Sequence, residues 1–223
     1  MKIKTIFFDF DGVLAESVDV KTEAFRKMYV KYGKSFSEKV VDFHKKNGGI
    51  SRFEKFKIFN GDWLNQKTNE KMINKLAIEF SQLVVNGVIN SKEVLGTSSF
   101  LNYAKHYKKF IITGTPTAEI NTILKKRNIS DFFMEVFGSP TKKSFWVKHI
   151  LDKYCIDKKE CIFVGDALAD YEAARDNEVI FVLRETNDSL NLFKHEELYR
   201  IKNLSELKSI IEKINKENEN ISY

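Results

Sequence analysis

A doubly wound α/β core, with a parallel sheet and a helical segment inserted after its first strand, is the fold class the sequence predicts. Short apolar runs rich in Ile, Val and Phe recur at 3–8, 110–113, 135–138, 161–165 and 180–184, and helix-period apolar residues separate the later ones. Strands apolar on both faces, joined by amphipathic crossovers, make a parallel sheet with helices on both sides, a Rossmann-like layering. From residue 16 to about 92 that rhythm stops, and the patterning is helical with no convincing strand.

Each element follows from its own residues. The first run ends in Asp9 and Asp11. In the insertion, 21–32 reads as a helix, and 70–86 places Ile73, Leu76, Ala77, Phe80, Leu83 and Val84 at i, i+3 and i+4. Beyond it, Phe100, Leu101, Ala104 and Tyr107 mark one helix, and Ile120, Ile123 and Leu124 a second. A third, opened by Lys143 after Pro140, carries Val147, Ile150, Leu151 and Tyr154. Leu207, Ile210, Ile211 and Ile214 make 205–214 a closing helix, and 216–223 is expected to be a frayed tail. The division expected is an α/β core of residues 1–15 and 93–223 with a helical domain of 16–92.

Composition excludes several classes. Of 223 residues, 43% are hydrophobic and 30% charged, outside the range of disordered or fibrous chains. The apolar runs are far shorter than the ~18–20 residues that cross a bilayer, so no membrane association is expected. The start of the chain has no signal-peptide pattern, and the expected location is the cytoplasm. Cys155 and Cys161 have no metal-type spacing and read as reduced core thiols. Net charge is +6, and residues 21–75 hold 14 Lys/Arg against 6 Asp/Glu. This basic segment is either a solvated face or a field that draws in an anionic ligand. Its charges lie along helices without the basic clusters of nucleic-acid modules, so no nucleic-acid partner is expected.

In open parallel sheets ligands bind outside the carboxyl ends of the strands. There the sequence sets Asp9 and Asp11 after the first run, Thr113 and Gly114 at the end of the second, and Asp166 with Asp170 after the fourth. Clustered carboxylates repel unless a cation holds them, and oxygen ligands without histidine suit a hard ion, Mg²⁺. Lys143, Thr113 and backbone N–H groups around Gly12 and Gly114 can then cradle a phosphoryl group, with Asp9 free as a nucleophile. Lys142 competes with Lys143 for this role. The run 138–144, GSPTKKS, lacks the second Gly of a P-loop, and the four His residues are scattered.

The segments DFDGVLAES (9–17), ITGT (112–115), Lys143 and GDALAD (165–170) resemble, in order and spacing, the four motifs of the haloacid-dehalogenase-like superfamily. The likeness extends to its helical cap after strand 1 and to its phosphoglycolate phosphatase and β-phosphoglucomutase branch. It implies Asp9 as nucleophile and Asp11 as general acid/base, with Asp9, Asp11 (through its carbonyl), Asp166 and Asp170 around Mg²⁺. It also implies Thr113, Gly114 and Lys143 on the phosphoryl group.

In this family cap loops meet the rest of the substrate. The candidates here are Gly49, Ser51 and Arg52, after the Gly48–Gly49 break, with His44, Lys45 and Lys46 adding positive charge nearby. A plain helix–helix connection is the alternative reading of this loop. Related sugar-phosphate mutases usually carry His where this chain has Lys21, which favours hydrolysis over transfer. The expectation is a monomeric Mg²⁺-dependent phosphatase of a small phosphomonoester, a phosphosugar or related metabolite. A phosphosugar mutase is the second possibility, and a non-enzymatic binding protein on the same fold the third.

Overall fold

The computed structural model describes residues 2–220. Its sheet has six strands, all parallel: β1 Thr5–Phe8, β2 Lys108–Pro116, β3 Glu135–Ser139, β4 Cys161–Gly165, β5 Ile180–Arg184 and β6 Tyr199–Ile201. Their order is β3-β2-β1-β4-β5-β6. The winding reverses between β1 and β4, and in this topology the crevice for ligands opens at that switch. Phe8 pairs in register with Ile111 on one side and Val164 on the other, so Asp9 emerges between the ends of β2 and β4.

Successive strand residues point to opposite faces, and both faces are buried. Phe8, Ile111, Ile162 and Val182 belong to one apolar core, with Ile120 and Ile123 of α6 (Thr117–Lys126) and Ile211 and Ile214 of α10 (Leu207–Asn220). Phe7, Phe110, Phe163 and Phe181 belong to the other, with Val147 and Ile150 of α7 (Lys143–Lys153) and Ala173 and Ala174 of α8 (Leu168–Asp176). Each fully buried Phe contributes about 1.5–3 kcal/mol relative to exposure. Two further helices, α5 (Thr97–Tyr103) and the short α9 (Asn187–Leu192), complete this part of the chain.

The insertion is wholly helical: α1 Val18–Tyr29, α2 Lys34–Lys46, α3 Arg52–Phe56 running into a π-helical stretch over Lys57–Trp63, and α4 Glu70–Asn90. Its core is aromatic, with the Phe25 and Phe80 ring centroids 4.4 Å apart and those of Tyr29 and Phe59 5.4 Å apart. The two connecting strands of chain meet where Glu16 N–H donates to the Lys92 carbonyl at 2.9 Å and Ala15 bridges Glu93. Arg127 of the core donates to the carbonyls of Val88, Ile89 and Ser91, satisfying the exposed end of α4.

Some details depart from the sequence reading. Strand β6 has no counterpart among the predicted runs, because three residues at a sheet edge carry no usable alternation. Cys161 is a buried thiol as expected, but Cys155 is exposed. It follows the end of α7 in the left-handed region at φ 49°, a turn that directs its side chain outward. The expected frayed tail is helical as far as Asn220, and residues 221–223 lie outside the described residues. Among the described residues no helix is long and apolar enough to cross a membrane.

Candidate active site

Asp9 is the first residue beyond β1. Its Oδ1 accepts the Phe10 N–H at 2.7 Å, and its Oδ2 lies 2.9 Å from Lys143 Nζ. Lys143, the first residue of α7, also donates to Asp170 Oδ1 at 2.6 Å, while Asp170 Oδ2 accepts the Ala167 N–H at 3.1 Å. Lys143 is thus a buried ammonium between two buried carboxylates, and Lys142 points into solvent. Burial by itself would lower the Lys143 pKa, but Asp170 and Asp9 outweigh it and raise the pKa. Burial raises the Asp170 pKa despite Lys143 beside it, with Asp9 adding to the rise.

Asp166, just after β4, completes the group: Asp9, Asp166 and Asp170 offer carboxylate oxygens within 4.8 Å of one another. Burial, then the charges of Asp9 and Asp170, hold the Asp166 carboxyl well above the usual range. Such a set is stable when ionised only beside a cation, and its oxygen-only chemistry fits a hard divalent ion such as Mg²⁺. Gly12 is required here: it adopts φ 76°, and a Cβ would fall 2.1 Å from Asp166 Oδ2.

The Asp11 carboxylate faces away from that cluster. It accepts from Ser17 Oγ at 2.6 Å and Thr115 Oγ1 at 3.1 Å, and it is paired with Lys21. Lys21 Nζ also reaches Thr115 Oγ1 at 2.7 Å. Burial would raise the Asp11 pKa, but Lys21, Ser17 and Thr115 together hold it below the usual range. Only the main-chain carbonyl of Asp11 is left for the metal role expected of it. Thr113 is buried, with its Oγ1 accepting the Thr115 N–H at 3.3 Å, and Gly114 lies under the carbonyl of Gly49.

Between core and insert lies a cavity of about 490 Å³. Asp9, Asp11, Thr113, Gly114 and Asp166 line it from the core, and Lys21, His44, Gly49, Arg52 and Lys55 from the insert. Gly49 stands directly over the acid cluster at φ 76°, where a Cβ would be 3.0 Å from Ala169 Cβ and 3.4 Å from Lys143 Nζ. Ser51 is not at the cavity: it is the N-cap of α3 and accepts the Phe53 N–H at 3.2 Å. Arg52 lines the cavity, but its guanidinium is engaged with Glu119 at the start of α6. Lys21, Thr115, Lys55 and Glu119 escaped the sequence reading as site residues. Lys21 had a signal, its position ten residues after Asp11 on the first helix, and Thr115 closes the ITGT segment, whereas Lys55 and Glu119 had none.

The groups gathered over the carboxyl edge of the sheet are carboxylates and ammonium ions, an acid-cluster site on a doubly wound α/β fold. The chain belongs to the haloacid dehalogenase-like hydrolase family, whose model matches residues 6–184. Over 180 residues it is 25% identical to a phosphorylated carbohydrates phosphatase of Thermotoga maritima, covering 78% of this chain and 81% of that protein. The fold is similar to that of β-phosphoglucomutase from Clostridium difficile, at TM-score 0.72 and 22% identity over 96% of this chain and 98% of that one. It is also similar to a haloacid dehalogenase-like family hydrolase from Streptococcus pneumoniae, at TM-score 0.67 and 18% identity over 93% and 97% of the two chains.

Proposed function

We propose that this protein is a Mg²⁺-dependent phosphatase of a small phosphomonoester, a phosphorylated sugar or related metabolite, acting through an aspartyl-phosphate on Asp9. The observation that carries this is the placing of Lys143 Nζ 2.9 Å from Asp9 Oδ2 at the open end of β1, beside Asp166 and Asp170. The similarity to a phosphatase of phosphorylated carbohydrates supports the substrate class. The helical insert, residues 16–92, acts as a cap over a core of residues 1–15 and 93–223.

Asp9, Asp166 and Asp170, with the Asp11 carbonyl, would hold Mg²⁺. When bound, the ion neutralises the acid cluster and polarises the phosphoryl oxygens. Thr113 Oγ1, the Gly114 N–H and Lys143 Nζ position the phosphoryl group. An Asp9 carboxylate oxygen attacks phosphorus as the bond to the alcohol oxygen breaks, and that oxygen takes the Asp11 proton. Water then attacks the phosphorus, giving its proton to Asp11, and Asp9 leaves as a carboxylate. Lys21 favours the ionised Asp11 that the second half needs, and the charge of an arriving phosphate favours the protonated form that the first half needs.

The test is phosphate release from a panel of phosphorylated sugars, glycolate and nucleotides, with Mg²⁺ or EDTA, for wild type and Asp9→Asn. Release that depends on the metal and is lost in the variant is expected. Undiminished turnover by Asp9→Asn would sink the mechanism. Isomerisation of a phosphosugar without phosphate release would establish the mutase instead, against which Lys21 at the mutase histidine position argues.

A further inference from the structure

In the roof of the cavity, Lys55 of α3 and His44 of α2 meet with Lys55 Nζ 2.8 Å from His44 Nδ1. Both residues are buried, Lys55 to 2% exposure and His44 to 8%, and both line the cavity. The other buried cations here have their acids: Lys21 has Asp11, Lys143 has Asp9 and Asp170, and Arg52 has Glu119. Lys55 forms no ion pair among the described residues, and the charges acting on it, from Lys21, Lys143 and Arg52, are all positive. His44 likewise faces Lys55, Lys21 and Lys45, and its Nε2 is buried without a hydrogen-bond partner among the described residues.

The donor and acceptor roles can be worked out. When Lys55 is an ammonium it has only donors, so His44 Nδ1 accepts and the imidazole proton sits on Nε2. Every group that this pair still offers is then a donor, and the Lys55 charge has no acid paired with it among the described residues. The ligand that completes it accepts only and carries negative charge. A sugar hydroxyl would leave the buried ammonium without a counter-charge, which is costly.

We propose that Lys55 and His44 form a second anion-binding subsite, which takes a carboxylate or a second phosphate at the end of the substrate remote from the transferred phosphoryl group. This rests on the phosphatase reading for the first phosphoryl group and narrows the substrate to a phosphomonoester bearing another acid. Burial and the neighbouring cations bring Lys55 down to about 7, so the empty pair gives up its proton readily and an arriving anion restores it.

The experiment is calorimetric binding, with Mg²⁺ present, of three non-hydrolysable series with chains of two to five carbons. These are plain alkylphosphonates, ω-carboxyalkylphosphonates and α,ω-alkanediphosphonates. In wild type the best anion-tailed compound should bind roughly tenfold or more tighter than its plain counterpart. That ratio should fall towards one in Lys55→Met and drop partially in His44→Phe. The series with the larger ratio tells carboxylate from phosphate. Plain compounds that bind as well as tailed ones at every length in wild type would overturn the subsite alone, as would a ratio untouched by Lys55→Met. If no phosphonate binds, the phosphatase reading and the subsite fall together. Discrimination between tails without phosphate release from any ester would sink the phosphatase and leave the subsite standing.

Discussion

The Arg52 guanidinium of the insert forks onto the Glu119 carboxylate of the core, at 2.8 and 2.7 Å, with side-chain exposures of only 4% and 7%. Ser81 on α4 joins the same pair, and the guanidinium lies 4.5 Å over the Phe80 ring. One side chain therefore ties α3, α4 and α6 together and holds the loop of Gly48 and Gly49 against the acid cluster. The arginine that the sequence offers for substrate binding already has a fixed partner.

Glu119→Ala leaves that guanidinium buried without its counter-charge. Breaking a buried pair in this way costs about 3–5 kcal/mol. The expected result is a lower urea midpoint, or a globally stable protein in which α3 exchanges its amide hydrogens faster. Unchanged unfolding with unchanged exchange would show that the pair does not hold the insert in place.

Gly49→Ala puts a side chain into a left-handed backbone position, a cost of about 1–2 kcal/mol, and drives a methyl group against Ala169. The loop should lift from the core. Steady-state kinetics on the best phosphomonoester should show kcat/KM falling by roughly tenfold, the amount that 1.4 kcal/mol sets. A variant as active as wild type would mean that this close approach is not used in turnover.

Lys55 makes stability depend on pH. Its folded pKa, about 7, lies below its ordinary 10.5, so between those values the unfolded chain binds more protons and stability rises with pH. Below about 7 the side chain is charged in both states and the whole burial cost remains. Lys55→Met should therefore raise the urea midpoint, most at pH 6 and progressively less towards pH 10. A gain that does not vary with pH would contradict the depressed value.

Metal binding should be visible without turnover. At a Mg²⁺ concentration 100 times its Kd, the folded state gains about 2.7 kcal/mol, read as a rise in Tm. Asp166→Asn should abolish most of that rise. It should also raise the Tm in EDTA, because it removes one of three carboxylates crowded within 4.8 Å. A metal-induced shift of wild-type size in the variant would remove Asp166 from the ion's ligands.

Much of the core was legible in the sequence for local reasons. An apolar strand buried on both faces, such as 161–165, announces itself by its run of residues, and the polar residue that follows must stand at the sheet edge. Asp9 and Asp166 are each placed by such a rule. Ser51, offered by the sequence as a substrate contact, instead caps α3, a role that depends only on a neighbour two residues away.

What only the tertiary structure decided is which charges pair. Lys143 rather than Lys142 enters the acid cluster because the first turn of α7 buries one and exposes the other. Lys21 with Thr115, Arg52 with Glu119 and Lys55 with His44 are partners set by the seating of the insert on the core and by packing within the insert. Coulomb and hydrogen-bond energies fall within a few ångströms, so they are governed by side-chain positions in space. Spacing along the chain determined the sheet and its acids, and the packing of helices determined which cations remain for a ligand.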